Sequence, residues 1–533
     1  MEISLKRNNF VIHDFMERDI PRSFSGVLDL RNVGFFEAHF RVEDFYVTII
    51  PFTEECLNYI KRLDIYDSCE YKHSRNIEWV YGIDENGRSV AFSKKTMVYT
   101  GMSSPVTLNA AAFTTGIIVA TKSPISIDLS SFDSIEFTGE IIDVLYPPTR
   151  ALNFRQTKDM IEFKDKSEYT KLYSIELDGE EVSIEFSVST FYSRHVSKVP
   201  DLRNDIRSFI KLSFGESKSL DAIGGYYNYI MSLCGFCIGQ RNLNLEIALN
   251  KKYDREFRDG QNITLNEKLS VKFMDEYDDY AHEEIEYYRG LNFINLGDKL
   301  SNLLKLLAEE SSKPNLLYAP YRNIDKNWIK HTMIIDICAS VEREYGFLFG
   351  SRSKKSEADC SLKGAKLLHC EMESLIEKYR SDNIIDERVR EKALSLVGKL
   401  KNIEPNFKEK TSELYYLFKD HIRPIVESIF KIPCDINDPT EIKTLRSGRI
   451  YDESEFENLV GRFYKIRSRS SHDMIGLDEL STDIFYYLEL LVYFCILYRA
   501  GFKLDDCENL LKPMFKNRFY KPETEELEDA DLN

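Results

Sequence analysis

An α+β multidomain chain is what the patterning of these 533 residues implies: a β-rich N-terminal half, sandwich or barrel-like, and an all-α C-terminal half. Three observations carry that reading. Before residue 215, apolar residues alternate with period two on either side of Asn-Gly and Asp-Gly turns. Beyond about Asn323 they recur with helical period almost throughout. Pro405, Pro424, Pro433 and Pro439 punctuate that second half.

Phe24 to Phe40 has strand composition. Ile77, Trp79, Tyr81 and Ile83 alternate up to the turn Asp84-Glu85-Asn86-Gly87, and Val90 and Phe92 resume the pattern. Ile135 to Leu145 is also expected as a strand. Tyr173, Ile175 and Leu177 lead into Asp178-Gly179, and Val182, Ile184, Phe186 and Val188 lead away, a strong hairpin signal. Next, Leu220, Ile223, Tyr227, Ile230, Cys234 and Cys237 predict a helix behind Ser219 as its N-cap. Two more strands are expected at 243–249 and 269–273, then a helix around Leu296 to Leu307. Ser311-Ser312-Lys313-Pro314 marks a domain boundary. Helices follow near 326–349, 361–380, 384–401, 409–430, 453–468 and 478–500, with 432–452 as a loop. The expected domains are a β-rich 1–215, a mixed 216–322 packing on it, an all-helical 323–515 and an acidic tail 516–533.

A net charge of −17 argues against a protein that coats nucleic acid non-specifically, because phosphate affinity needs clustered cations. Ten scattered cysteines do not make a disulfide scaffold or a zinc site. The start, MEISLKRNNF, lacks the apolar core of a signal peptide, and Phe485 to Tyr498 is short for a membrane span and contains Glu489. A reduced, cytoplasmic protein with no membrane partner is expected. No phosphate-binding glycine loop and no Gly-x-Ser-x-Gly elbow occurs, which disfavours nucleotide-driven motors, Rossmann oxidoreductases and ordinary α/β-hydrolases. Cys234-x-x-Cys237 lies on an apolar helix stripe and reads as two buried thiols. The acidic run Asp275 to Asp279 with His282, Glu283, Glu284 and Glu286 reads as a solvated loop. No metal and no cofactor is expected.

The informative segment is Phe456 to Asp478. At about 100° per residue, Phe456, Leu459, Val460, Phe463 and Tyr464 form one apolar stripe, and Arg467 falls near its centre. Arg462, Lys465 and Arg469 fall on the opposite side and read as solvent-facing. A guanidinium at a core position cannot shed its charge, so it pairs or lines a polar cleft or interface. His472 follows beside Ser470, Ser471 and Asp473, where the helix is ending. The next helix, capped by Asp478 or Ser481, has the stripe Leu480, Ile484, Leu488, Leu491, Cys495 and Tyr498 and stops at Gly501. An inward arginine and a histidine at the following helix end can converge on one anion, and a phosphate diester fits the pair: arginine stabilises phosphoryl charge and histidine moves a proton near neutral pH.

Arg467 and His472, separated by four residues, sit between the last two long helices. This resembles the Arg-x4–6-His signature of the HEPN superfamily, and Trp328 to Phe349 resembles the first long helix of such domains, over roughly 325–515 in all. FSGVLDLRNVGFFEAHF near the start and IEFTGEIIDVLY further on resemble the sheet-rich region of ApeA-like abortive-infection proteins. The resemblance implies a C-terminal HEPN helical bundle and a metal-independent endoribonuclease that dimerises through it. Arg467 matches the signature arginine and His472 the signature histidine. The implied reaction is attack of a ribose 2′-OH on the adjacent phosphate, leaving a 2′,3′-cyclic phosphate and a 5′-OH. Active members often carry Asn directly after the arginine; here that place is Ser468, which keeps a hydroxyl but no amide. Ser468, Arg469 and Lys465 are the expected substrate contacts. RNA, with tRNA as the leading example, a second copy of the chain and a phage-derived trigger are the implied partners. The alternative is a non-catalytic HEPN-type module that dimerises or binds RNA or protein.

Overall fold

The computed structural model describes residues 23–30, 34–43, 46–51, 78–84, 86–99, 111–154, 161–190, 206–239, 243, 245–256, 262–273, 290–309, 331–355, 360–398, 406–427, 431–433, 442–444, 449–469 and 479–515. It parts into two compact units. One comprises Met1–Cys234, Asn242–Ile285 and Leu307–Leu316; the other Gly235–Arg241, Glu286–Leu306 and Leu317–Asn533, so the 216–322 stretch is shared between them. The boundary expected at Ser311 to Pro314, the acidic run from Asp275 and the tail from 516 lie outside the described residues.

The first unit is built on one antiparallel sheet. Its strands are β1 (Ser23–Leu30), β2 (Gly34–Glu43), β3 (Tyr46–Pro51), β4 (Glu78–Asp84), β5 (Ser89–Tyr99), β6 (Ala111–Thr121), β7 (Ser131–Thr138), β8 (Lys171–Leu177), β9 (Glu180–Thr190), β10 (Ile206–Ser219), β11 (Glu246–Glu256) and β12 (Asn262–Phe273). They lie in the order β8-β9-β10-β7-β11-β12-β6-β3-β2-β1-β4-β5. In addition β5 pairs along β6, from Val90↔Ala120 to Tyr99↔Ala111, so the pairing of β6-β3-β2-β1-β4-β5 returns on itself. The other edge of β6 is divided, with 111–114 on β3 and 117–121 on β12.

The two expected turns form for different reasons. At Asp84 a carboxylate organises the chain: Oδ1 accepts from the amides of Asn86 (2.9 Å) and Arg88 (2.8 Å), and Oδ2 pairs with Arg88 Nε at 2.7 Å. At Asp178-Gly179 both residues have positive φ, 54° and 83°, as a two-residue turn with the strand twist requires. Gly179→Ala is therefore expected to cost about 1–2 kcal/mol, since a Cβ is disfavoured in the left-handed region. A matched loss in the chemical-unfolding midpoint would show it, and an unchanged midpoint would contradict the turn geometry.

One expected strand divides. Ile135 to Thr138 is in β7, but Glu140–Leu145 forms a helix, α1, after Gly139 turns the chain at φ 135°. Ile141, Ile142, Val144 and Leu145 are all buried, which a strand exposing alternate residues would not permit. α1 also carries Asp143, whose Oδ1 accepts from Ser208 N at 2.7 Å. Burial raises the Asp143 carboxyl from its ordinary 3.8 to about 6; the Ser208 amide and Arg207 oppose the shift, and Glu246 and Glu140 add to it. A folded pKa above the unfolded one means the native state binds more protons between those values, so stability falls as pH rises from about 4 through about 6. Asp143→Asn keeps an acceptor and removes the charge. Its melting temperature is expected to exceed that of the wild type above about pH 6 and to converge with it near pH 4, so a constant difference would sink this account.

Ser219 is the last residue of β10, and its side chain makes no capping hydrogen bond. The helix behind it, α2, is Ile223–Ile238, after one 3-10 turn.

In the second unit, a helix α3 (Leu300–Glu309) begins with Leu300, Leu303 and Leu304 buried. The C-terminal helices are α4 (His331–Lys355), α5 (Cys360–Ser381), α6 (Glu387–Gly398), α7 (Phe407–Val426), α8 (Glu453–Arg469), α9 (Glu479–Arg499) and α10 (Leu504–Phe515). α7 starts in a capping box: Asn406 Oδ1 accepts from Glu409 N at 3.1 Å and Glu409 Oε2 from Asn406 N at 2.8 Å. Between α7 and α8, where a loop was expected, Lys431–Pro433 and Ile442–Thr444 pair as two short antiparallel strands. α4, α7, α8 and α10 pack against α9. From Ile484 to Leu497 every residue of α9 except Tyr486 is buried, so the expected one-sided stripe is a helix buried nearly all round. Tyr498, expected on that stripe, is 43% exposed.

Candidate functional site

α8 and α9 flank the segment that carries His472. α8 begins at Asp452, whose Oδ1 accepts from Glu455 N at 2.8 Å and from Ser454 Oγ at 3.0 Å; these bonds hold the Asp452 carboxyl below its usual value. Phe456, Leu459, Val460 and Phe463 are buried, as their spacing requires. Phe456 stacks on Tyr415 of α7 at 4.1 Å and meets Tyr487 of α9 edge-on at 5.7 Å. Tyr464 stacks on Phe407 at 4.7 Å, and Lys408 pairs with Glu457 at 2.9 Å. These contacts fix the rotation of α8 about its own axis.

Given that rotation, backbone position 467, seven residues after Val460 and four after Phe463, shares the azimuth of the buried face. Arg462 and Lys465 are exposed, as expected of the opposite face. Arg467, Ser468 and Arg469 form the last turn of α8; their side chains, and His472 with Ser470, Ser471 and Asp473, lie outside the described residues.

A tyrosine lattice ties the start of α8 to that of α9. Tyr451 Oη donates to Asp483 Oδ2 at 2.9 Å, Tyr487 Oη to Arg449 O at 2.8 Å, and Tyr415 Oη to Tyr451 O at 3.3 Å. Burial, joined at Tyr451 by the Asp483 carboxylate, drives the Tyr451 and Tyr487 phenols far above their ordinary value, so all three act as neutral donors. Their role is to set where α9 begins relative to α8, and thereby the two ends of the 470–478 segment.

Two charges that the sequence reading passed over lie deep in the bundle. Glu344 of α4 is fully buried, and its Oε2 lies 2.7 Å from Arg499 Nη1 of α9. Arg343 Nε reaches Glu344 Oε1 at 3.3 Å, and the Arg499 guanidinium lies 3.8 Å from the Phe347 ring centroid. Cys495, one turn before Arg499, is buried; burial first, then the Glu344 carboxylate, pushes its thiol up. The signal was present in the chain: Glu344 continues the spacing of Ile334, Ile337 and Val341, and Arg499 that of Val492 and Cys495. The cluster is an ion pair inside the helical core.

Cys234 and Cys237 are both buried, and burial raises the Cys234 thiol far above its ordinary value, which leaves it a poor nucleophile or ligand. Among the described residues, no group of three or more His, Cys, Asp and Glu is arranged to hold a metal ion, and no helix is long and apolar enough to cross a membrane. Comparison with protein-family models, with curated proteins and with solved structures finds no match.

Proposed function

We propose that this chain is a metal-independent endoribonuclease of HEPN type, with a barrel-like β-rich half that senses or restrains and a helical half that cuts. The observation that carries the reading is position 467: an arginine on the buried azimuth of α8, two residues before that helix ends and five before a histidine. Elsewhere in this bundle an arginine at a core position faces a carboxylate, as Arg499 faces Glu344. An arginine at the end of the α8 core face, followed by an imidazole and three hydroxyl-bearing serines, is also suited to an anion that arrives from outside. The return of the sheet pairing at β6 supports the barrel-like description.

In this reading His472 takes the proton from a ribose 2′-OH or gives one to the leaving 5′-oxygen. Arg467 stabilises the charge that builds on the phosphoryl oxygens, and Ser468, Arg469 and Lys465 hold neighbouring phosphates. The biological setting is abortive infection in the cytoplasm, set off by a phage-derived trigger and directed at host RNA such as tRNA. Because one chain supplies one Arg/His pair, two chains joined through their helical units complete the cleft.

The test is incubation of the full chain with total tRNA in EDTA, with and without extract of phage-infected cells, and end analysis of the products. Cleavage that persists in EDTA and leaves 2′,3′-cyclic phosphate and 5′-OH ends is expected. Cleavage that requires a divalent cation, or 5′-phosphate ends, would overturn it.

A further inference from the structure

α5 and α6 form an antiparallel hairpin. Arg390 Nη2 lies 2.6 Å from Glu377 Oε1, and Arg380 Nε lies 2.8 Å from Glu387 Oε2, so residue numbers fall along one helix as they rise along the other. His369, Ile376 and Val397 are buried along this hairpin. No other described helix packs closely on either.

Two further apolar stripes remain. On α5, Leu368, Met372, Leu375 and Tyr379 recur at intervals of four, three and four residues, and all are exposed. On α6, Val389 and Leu396 are seven apart and exposed. With about 100° per residue, each stripe is turned back from its own buried line by roughly 80–100° in the same rotational sense. In antiparallel helices viewed from one end, equal senses become mirror senses. The two stripes therefore rotate onto one side of the hairpin and make a single apolar face.

That face is large and neutral. Its six side chains, each roughly half exposed, offer on the order of 500 Å² of apolar surface, within the range of the largest patch on an ordinary monomer. This is also about the apolar share of one side of a standard interface, some 800 Å² per partner. The chain carries a net charge of −17, so two copies repel over most of their surfaces. Cys360 to Gly398, by contrast, holds seven Lys and Arg against seven Asp and Glu. A neutral, apolar face on a repulsive molecule is where a second copy meets the least opposition, and a two-fold contact needs only one such face.

We propose that the α5–α6 hairpin is a self-association face, with a second copy of this chain as its occupant through Leu368, Met372, Leu375, Tyr379, Val389 and Leu396. The inference stands without any nuclease activity, because its readout is mass. Multi-angle light scattering after size exclusion, over a dilution series, is expected to give twice 62.3 kDa for the wild type. The double variant Leu375→Glu/Leu396→Glu is expected to give the single-chain mass with unchanged helical circular dichroism. Leu367→Glu is the control: Leu367 is 65% exposed but about 110° off the stripe, so this variant is expected to stay dimeric. A wild type with single-chain mass at every dilution, a dimeric double variant, or equal dissociation of Leu367→Glu would each overturn the proposal. Should the double variant lose helix, wild-type hydrogen exchange carries the test. Protection over 366–398 that falls on dilution supports the face, and protection independent of concentration overturns it.

Discussion

Glu344→Ala is expected to destabilise the helical unit by about 3–5 kcal/mol, the cost of breaking a buried pair from one side. The Glu344 side chain is 1% exposed and that of Arg499 12%, with 2.7 Å between Oε2 and Nη1. Removing the carboxylate takes the partner at 2.7 Å from a guanidinium that cannot neutralise itself at any working pH. The Phe347 ring 3.8 Å from it recovers only part of the loss, since a cation–π contact contributes on the order of 1–2 kcal/mol. Arg499→Ala leaves the carboxylate its contact with Arg343, whose Nε lies 3.3 Å from Oε1, and a carboxylate can also bind a proton, so its cost is expected to be smaller and to shrink as pH falls. Glu344→Leu/Arg499→Met removes both charges and is expected to recover most of the stability. A cycle of Glu344→Ala, Arg499→Ala and the Glu344→Ala/Arg499→Ala double, read by chemical unfolding, gives the coupling term of the pair. A single-variant loss below about 1 kcal/mol, typical of an exposed ion pair, would show that water reaches this pair in solution.

The long helices of the second unit were readable because they signal themselves locally, through period, cap and proline, whereas the short α10 (Leu504–Phe515) was not expected. α8, expected at 453–468, spans Glu453–Arg469, and α9, expected at 478–500, spans Glu479–Arg499. The hairpin at Asp178-Gly179 was readable because its turn chemistry admits few alternatives. Strand order was not. β7 lies between β10 and β11, and β6 meets β3 and β12 on the edge opposite β5, pairings between segments far apart in sequence that no local pattern encodes. Ile141 to Leu145 misled because a short apolar run reads alike as strand or as buried helix, and only Gly139 marked the change. At the candidate site the buried face of α8 was readable from Phe456, Val460 and Phe463, and with it the anomaly at position 467. Glu344 and Arg499 obey the same rule and were passed over, because a buried ion pair needs two distant stripes to be read together. The exposed stripe of α5 shows the converse. Its period is that of an ordinary core helix, and nothing local distinguishes apolar residues that meet another helix from those that meet solvent or a second chain.

Arg467→Ala and His472→Ala are each expected to remove nearly all RNA cleavage while leaving RNA binding largely intact. In the proposed reaction the arginine acts on charge that exists only as the phosphorane forms. Its loss should therefore lower kcat by roughly 10²–10³-fold with little change in KM. Loss of the proton-transfer group is worth roughly 10²–10⁴-fold. Because the proposed reaction has the two serve one transition state, the double variant should be little worse than the weaker single. Arg467→Lys keeps the charge but not the planar fork, and should not restore the rate. With His472 as the base, wild-type activity should fall below about pH 6.5, and the residual rate of His472→Ala should lack that dependence. Lys465→Ala belongs to another class: an exposed cation beside the backbone of the substrate should raise KM and flatten the salt dependence without touching kcat. Position 467 lies on the core azimuth, so circular dichroism and oligomeric mass must match the wild type before its kinetics are interpreted. An Arg467→Ala protein that is folded, has wild-type mass and cuts RNA at the wild-type rate would leave the arginine a structural charge, like Arg499, and would move the search for the reacting groups away from the α8–α9 junction.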